Sequence, residues 1–201
     1  DGRGLYVANL NGRQLDAYFG GETGIEVAAS ARIDQDLVVY GDTRVYGDLQ
    51  VSGRRVPNLT LAINAGSAPL RRGDVVEVAG LADAPVDGAS VVLVRRTETA
   101  SSRGVVGVVD CAWDPDGGFG AGSTVEIPAG GALGIATLGT FEGVRADASA
   151  GEIRIGDLLV SAPTAGHLQR ADEPQPGTVV GKALQDLAGG TALISVFLTL
   201  E

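Results

Sequence analysis

Short aliphatic runs closed off by turn residues constrain this chain more than any other feature. Leu37-Val38-Val39-Tyr40, Val75-Val76-Glu77-Val78, Val91-Val92-Leu93-Val94, Val105-Val106-Gly107-Val108-Val109 and Leu158-Leu159-Val160 are punctuated by Gly-Asp, Asp-Gly, Gly-Gly or Pro. Runs of this length between turn residues form β-strands sooner than helices. No window keeps a 3.6-residue apolar period over three turns, and the best helix candidate, residues 182–188, is short. The chain is therefore expected to be all-β. Its 44% hydrophobic content is enough for a core, which sets it apart from disordered chains. Its 31 glycines follow no three-residue period, which excludes collagen.

Two unlike regions are expected, residues 1–56 and residues 57–201. In the first, Val39-Tyr40-Gly41-Asp42-Thr43-Arg44, Val45-Tyr46-Gly47-Asp48-Leu49-Gln50 and Val51-Ser52-Gly53-Arg54 form a near-repeat of six, led by an aliphatic residue with glycine two places later. A unit this short cannot bury its own side chain, so it is stable only when units stack or chains wrap around each other. The region reads as a glycine-punctuated β-repeat, β-helix-like or made of docking strands, with Val39, Val45 and Val51 as candidate assembly residues. A pair of hairpins with Gly-Asp turns is the plainer alternative.

The second region looks internally duplicated. Arg71-Arg72-Gly73-Asp74-Val75-Val76-Glu77-Val78 parallels Arg154-Ile155-Gly156-Asp157-Leu158-Leu159-Val160-Ser161. Further on, Gly104-Val105-Val106-Gly107-Val108-Val109-Asp110 parallels Thr178-Val179-Val180-Gly181-Lys182-Ala183-Leu184. A Gly-Asp pair followed by paired aliphatics suits a tight turn opening a buried strand. The expectation is a duplicated β-barrel or sandwich, closed or nearly so, with pseudo-twofold symmetry. The final run reads as a long strand in which Ala192, Ile194, Val196, Leu198 and Leu200 face a core or interface, and Phe197 is a further assembly candidate.

Little chemistry is written in the side chains. A net charge of −10 disfavours nucleic acid, and no stretch is long and apolar enough to span a bilayer as a helix. The single cysteine, Cys111, cannot form an intrachain disulfide and reads as a small buried apolar residue. His167 is the only histidine and has no nucleophile motif beside it, so neither a catalytic triad nor a zinc site is expected. Asp114 and Asp116 open a calcium-like loop, but the twelfth position is Val125, not glutamate. Arg72-Gly73-Asp74 spells a tripeptide read by some animal cell receptors. Its parallel, Ile155-Gly156-Asp157, shows glycine and aspartate serving the same turn without the arginine. Lys182, the one lysine, is a remote candidate for a side-chain amide crosslink. Asn58-Leu59-Thr60 is a formal glycosylation sequon, which makes Asn58 a candidate modification site. Neither a cofactor nor a metal is expected. The chain begins at Asp1 and has no methionine, so a removed N-terminal leader, and with it export, is the expectation.

Ile155-Gly156-Asp157-Leu158-Leu159, then Pro176-Gly177-Thr178-Val179-Val180-Gly181-Lys182-Ala183-Leu184, then the terminal strand from Ile194 to Leu200 resemble the C-terminal β domain of certain bacterial secreted or cell-surface β-repeat proteins. Similar endings occur in phage-tail-fibre-like proteins. The resemblance implies a shaft-plus-cap architecture, extracellular or at the cell surface and commonly oligomeric, and it carries no catalytic residues. The first functional expectation is thus a structural subunit of a homo-oligomeric fibre, filament or appendage, held by inter-subunit strand and apolar contacts, and not an enzyme. The second is an adhesive tip that binds a receptor or surface glycan through exposed aromatics, with Trp113 and Phe119 as the contacts. The third, a β-helical carbohydrate-active enzyme, requires a cleft with paired carboxylates.

Overall fold

The computed structural model describes residues 59–83, 90–114, 118–119 and 126–201. The chain divides into two units, Asp1–Gln50 and Val51–Glu201, and every described residue belongs to the second. The candidate assembly residues Val39, Val45 and Val51 and the sequon residue Asn58 lie outside the described residues.

The described residues form strands and no α-helix. In chain order the strands are β1 (Leu59–Asn64), β2 (Val75–Asp83), β3 (Ser90–Arg96), β4 (Val105–Asp114), β5 (Gly118–Phe119), β6 (Ala132–Ala136), β7 (Gly139–Asp147), β8 (Leu158–Ser161), β9 (Leu168–Arg170), β10 (Val179–Ala183) and β11 (Thr191–Leu198). The stretch that most resembled a helix begins inside β10, where Lys182 pairs with Phe197 on β11. Sheet pairing overrides the weak local signal there.

The all-β expectation holds, and the duplication is realised strand by strand. In the first half the order β2-β3-β1-β6-β4 closes on itself because β4 also pairs with β2, while β5 hangs from the end of β4. In the second half β8-β9-β7-β11-β10 closes in the same way. Each barrel holds one parallel pair, β1 with β3 and β7 with β9, and otherwise antiparallel pairs. The duplicated β-barrel expected from the sequence is thus a pair of five-strand barrels, one closed by each half.

The registers agree in detail. Val75 and Val76 lie opposite Val108 and Gly107, as Leu158 and Leu159 lie opposite Lys182 and Gly181. Val108 and Val109 lie opposite Ala136 and Ile135, as Lys182 and Ala183 lie opposite Phe197 and Val196. Ahead of each second strand, an isolated bridge ties the turn down: Leu70 to Ile127 in one barrel, Ile153 to Leu187 in the other.

The turns themselves match. In each, the aspartate N–H donates to the carbonyl three residues back at 3.0 Å, Asp74 to Arg71 and Asp157 to Arg154. Each aspartate Oδ2 accepts the N–H of that same residue at 2.8 Å. Gly73 and Gly156 sit at φ of 86° and 93°, the left-handed position that a type II turn reserves for glycine.

One core fills the first barrel with Ala62, Leu70, Val76, Val94, Val109, Ile127, Leu133 and Ile135. A second, led by Phe141, Val144, Leu159, Leu168, Ile194, Val196 and Leu198, fills the second barrel. It also takes in Val75, Val108 and Ala136 from the outside of the first, so the barrels are welded by apolar burial. Of the face predicted on the last strand, Ile194, Val196 and Leu198 are each 1% exposed or less and Leu200 is half-buried, while Ala192, near the strand's start, is exposed.

Glycine at the fourth strand is what lets each barrel close. A Cβ on Gly181 would fall inside the Phe197 carbonyl oxygen, and one on Gly107 would overlap the Ala136 carbonyl oxygen. Gly181→Ala is therefore expected to lower unfolding free energy by about 1–3 kcal/mol, the usual cost of overpacking. Gly189→Ala, whose Cβ meets nothing within 4 Å, should stay within about 0.5 kcal/mol of the parent. Urea denaturation followed by circular dichroism measures both.

Candidate functional site

The junction between the barrels is where ionisable side chains converge. Asp74, placed by the Gly73 turn, has a carboxylate only 4% exposed. Arg145 of β7 brings Nε to 2.8 Å of one oxygen, and Arg96 of β3 brings Nε to 3.3 Å of the other. Neither Nε–H is aligned for a hydrogen bond, so these pairs attract as charges. Arg96 also donates to the Pro69 carbonyl. On the other side of the turn, Arg72 pairs with Asp110 at 3.3 Å, donates to the Glu142 carbonyl at 3.0 Å and lies 4.8 Å over the Phe141 ring.

Backbone contacts fix the same seam. The Gly73 carbonyl accepts from Arg145 N–H at 3.0 Å, Val75 N–H donates to Gly166, and Gly166 N–H donates to Thr97. Ser161 Oγ accepts from Ser102 N–H and donates to the Thr99 carbonyl, each at 2.8 Å. The Arg72-Gly73-Asp74 tripeptide is thus committed to the turn its parallel in the second half suggested, and here also to joining the barrels.

The equivalent turn in the second barrel has no such partner barrel among the described residues. Ile155, in the place of Arg72, is 65% exposed. A Cβ on Gly156 would meet nothing within 4 Å, whereas one on Gly73 would overlap the Gly143 carbonyl. Leu184, in the place of Asp110, and Phe197, in the place of Ala136, are each 42% exposed. Phe197, singled out for assembly, thus lies on a surface. Lys182 is exposed as well and far from the buried setting an amide crosslink requires.

The remaining candidates are dispersed. Trp113 is half-buried near the end of β4, and its backbone lies opposite Phe119 of β5, so the two aromatics singled out for ligand contact are neighbours in register. His167 Nδ1 lies 2.8 Å from its own turn's Ala165 carbonyl. Among the described residues no cluster of three metal-ligating side chains occurs. A cleft of about 280 Å³ is bordered by Asp147, Arg170, Asp172 and Glu173. Asp147 accepts hydrogen bonds from Ser149 and Thr164 that hold its carboxyl below the usual range. That is opposite to the raised value a general acid needs. Asp172 is paired with Arg170 at 2.7 Å. Cys111 is buried at 1% exposure, and burial, with Asp110 beside it, pushes its thiol up to about 11.

No protein-family model and no curated protein matches the chain. Among the solved structures similar to it is the N-terminal base of head fibre gp8.5 of bacteriophage phi29. That likeness has 13% identity and a TM-score of 0.43, and it covers 73% of this chain and 97% of that one.

The ion cluster was not foreseen, because Arg96 and Arg145 carry no motif. The signal available was the arginine in Arg72-Gly73-Asp74 set against the isoleucine of its repeat.

Two measurements probe this region. Asp74→Ala should cost about 2–4 kcal/mol, somewhat below a fully buried pair because Arg96 and Arg145 remain 26% and 30% exposed. Asp157→Ala, which loses only a turn hydrogen bond, should cost about 1 kcal/mol. Cys111 should resist alkylation in the native protein at pH 8, where roughly one thiol in a thousand is ionised. Its labelling should rise along the urea unfolding curve, and fast native labelling would refute the packing described.

Proposed function

We propose that the protein is a structural subunit of an extracellular homo-oligomeric fibre, filament or surface appendage, whose barrels form its body and whose first 56 residues form its shaft or docking element. The observation that supports this most directly is the outer surface of the barrels. Val78, Leu81, Leu138, Ile155, Leu184, Leu193 and Phe197 are all large apolar side chains 42% exposed or more. Exposed apolar side chains of this size gain free energy when a neighbour removes them from water. The barrels are closed, so the described strands, β5 aside, offer no free edge for strand addition. Subunit contacts through this part of the chain are then made by side-chain burial, and any strand pairing falls to the first 56 residues.

A second reading is a tip that binds a surface glycan, favoured by the backbone register that sets Trp113 of β4 opposite Phe119 of β5. Aromatic faces of this kind stack on sugar rings.

Light scattering and negative-stain electron microscopy of the full chain over a range of concentrations separate these readings. Uniform fibres, or a mass that is a multiple of the subunit, are the expected result. A clean monomer at all concentrations overturns the assembly reading. Binding to a glycan array that is lost in Trp113→Ala would move the assignment to the tip.

A further inference from the structure

We infer that the outer face of the second barrel, centred on Ile155, Leu158, Lys182, Leu184 and Phe197, docks onto the first barrel of a second copy of this chain, repeating between molecules the contact that joins the two barrels within one. The inference rests on the homo-oligomeric reading above and names its interface.

The internal contact is the template. The first barrel buries one defined face against the second, made of the Gly73 turn, Val75 of β2, Val108 and Asp110 of β4 and Ala136 of β6. Val75, Val108 and Ala136 are each 0% exposed and belong to the core of the second barrel. Pairing register sets each of these positions in one-to-one correspondence with the second barrel: Leu158 for Val75, Lys182 for Val108 and Phe197 for Ala136. Chain spacing from the matched glycines adds Ile155 for Arg72 and Leu184 for Asp110. The backbone of this face is therefore a second edition of one already shown to accept a barrel. Its side chains are as apolar as those it copies or more so, except at Lys182. Yet Ile155, Leu184 and Phe197 stand 65%, 42% and 42% exposed.

The receiving surface has its own counterpart. On the second barrel it includes Gly143, Arg145, Gly166 and Ser161, the last hydrogen-bonded to the Ser102 and Thr99 backbone. Ser161 ends β8 and corresponds to Val78 of β2, which is 44% exposed, with Leu81 on the same strand at 69%. The counterpart of the outgoing face and the counterpart of one receiving position are thus both exposed on one chain, on different barrels. A contact between unlike faces is heterologous, so it propagates from copy to copy until it closes as a ring or runs on as a filament.

Two variants and their mixture test this. Ile155→Asp with Phe197→Asp disables the outgoing face, and Val78→Asp with Leu81→Asp disables the receiving one. All four positions are exposed, so circular dichroism should report an unchanged fold. Each variant alone should fall to a monomer in light scattering, or raise the half-assembly concentration at least about tenfold. An equimolar mixture should form a dimer and stop there, because each variant keeps one intact face that only the other can meet. Oligomers that persist in both variants, or monomeric variants that fail to complement, would overturn this interface while leaving homo-oligomerisation standing. A parent chain that is monomeric at every concentration would overturn both.

Discussion

Closure of a five-strand ring is the constraint on which the rest of this structure depends. A sheet this narrow leaves unpaired N–H and C=O groups along its two outer strands unless the fourth strand reaches back to the second. Here that return passes so close to the last strand that no side chain fits between them. Gly107 and Gly181 occupy the two crossings, each against a carbonyl oxygen of the strand beside it. Once closed, each ring pairs its strands within itself, and its outer surface makes contact through side chains and through turn backbone, as at Gly73 and Gly166. The tight turn before the second strand adds the other fixed point. Glycine supplies the left-handed residue, and aspartate folds back onto the chain three residues earlier.

The same turn in two settings shows how a duplicated unit divides its duties. In the first barrel the Asp74 carboxylate holds its turn together and also faces Arg96 of its own barrel and Arg145 across the junction. In the second, Asp157 caps the turn in the same way without that junction, and Asp186 accepts the N–H of Ile155 at 2.7 Å. The local geometry is a property of the turn and is shared. The ion cluster is a property of what lies opposite and is not.

That division also explains what could be read from the sequence. The strands were legible because aliphatic runs between turn residues have few other options, and the duplication was legible because Gly73-Asp74 and Gly156-Asp157 must both make the same turn. The buried set of Ile194, Val196 and Leu198 followed from alternation alone. The number of barrels was not legible: a repeated strand set is equally compatible with two halves sharing one ring, and only the pairing of β2 with β4 and of β8 with β10 decides. Nor was the buried ion cluster, since Arg96 and Arg145 lie far apart in the chain and meet Asp74 only after both barrels have closed. The outward side of Lys182 was not legible, because a single lysine among small residues says nothing about which side of a strand it takes.

The divergence between the two copies of the docking face follows the physics of linked and unlinked partners. Inside one chain the barrels are held at high effective concentration by the covalent connection. Their contact needs orientation more than affinity, and Arg72, paired with Asp110 of its own barrel, supplies it by reaching the Glu142 carbonyl and the Phe141 ring of the other. Between separate molecules association must overcome lost translational and rotational freedom, several kcal/mol at the least. Apolar burial is the more productive source of that free energy, at roughly 25 cal/mol for each Å² removed from water. At the corresponding positions of the second barrel the charged pair is replaced by Ile155 and Leu184, and the small Ala136 by Phe197. A face released from selection for contact would be expected to drift toward polar residues. This one has instead exchanged a charged pair for Ile155 and Leu184 and a small alanine for Phe197, against one change toward charge at Lys182, and that balance is the direction of change that an intermolecular contact requires.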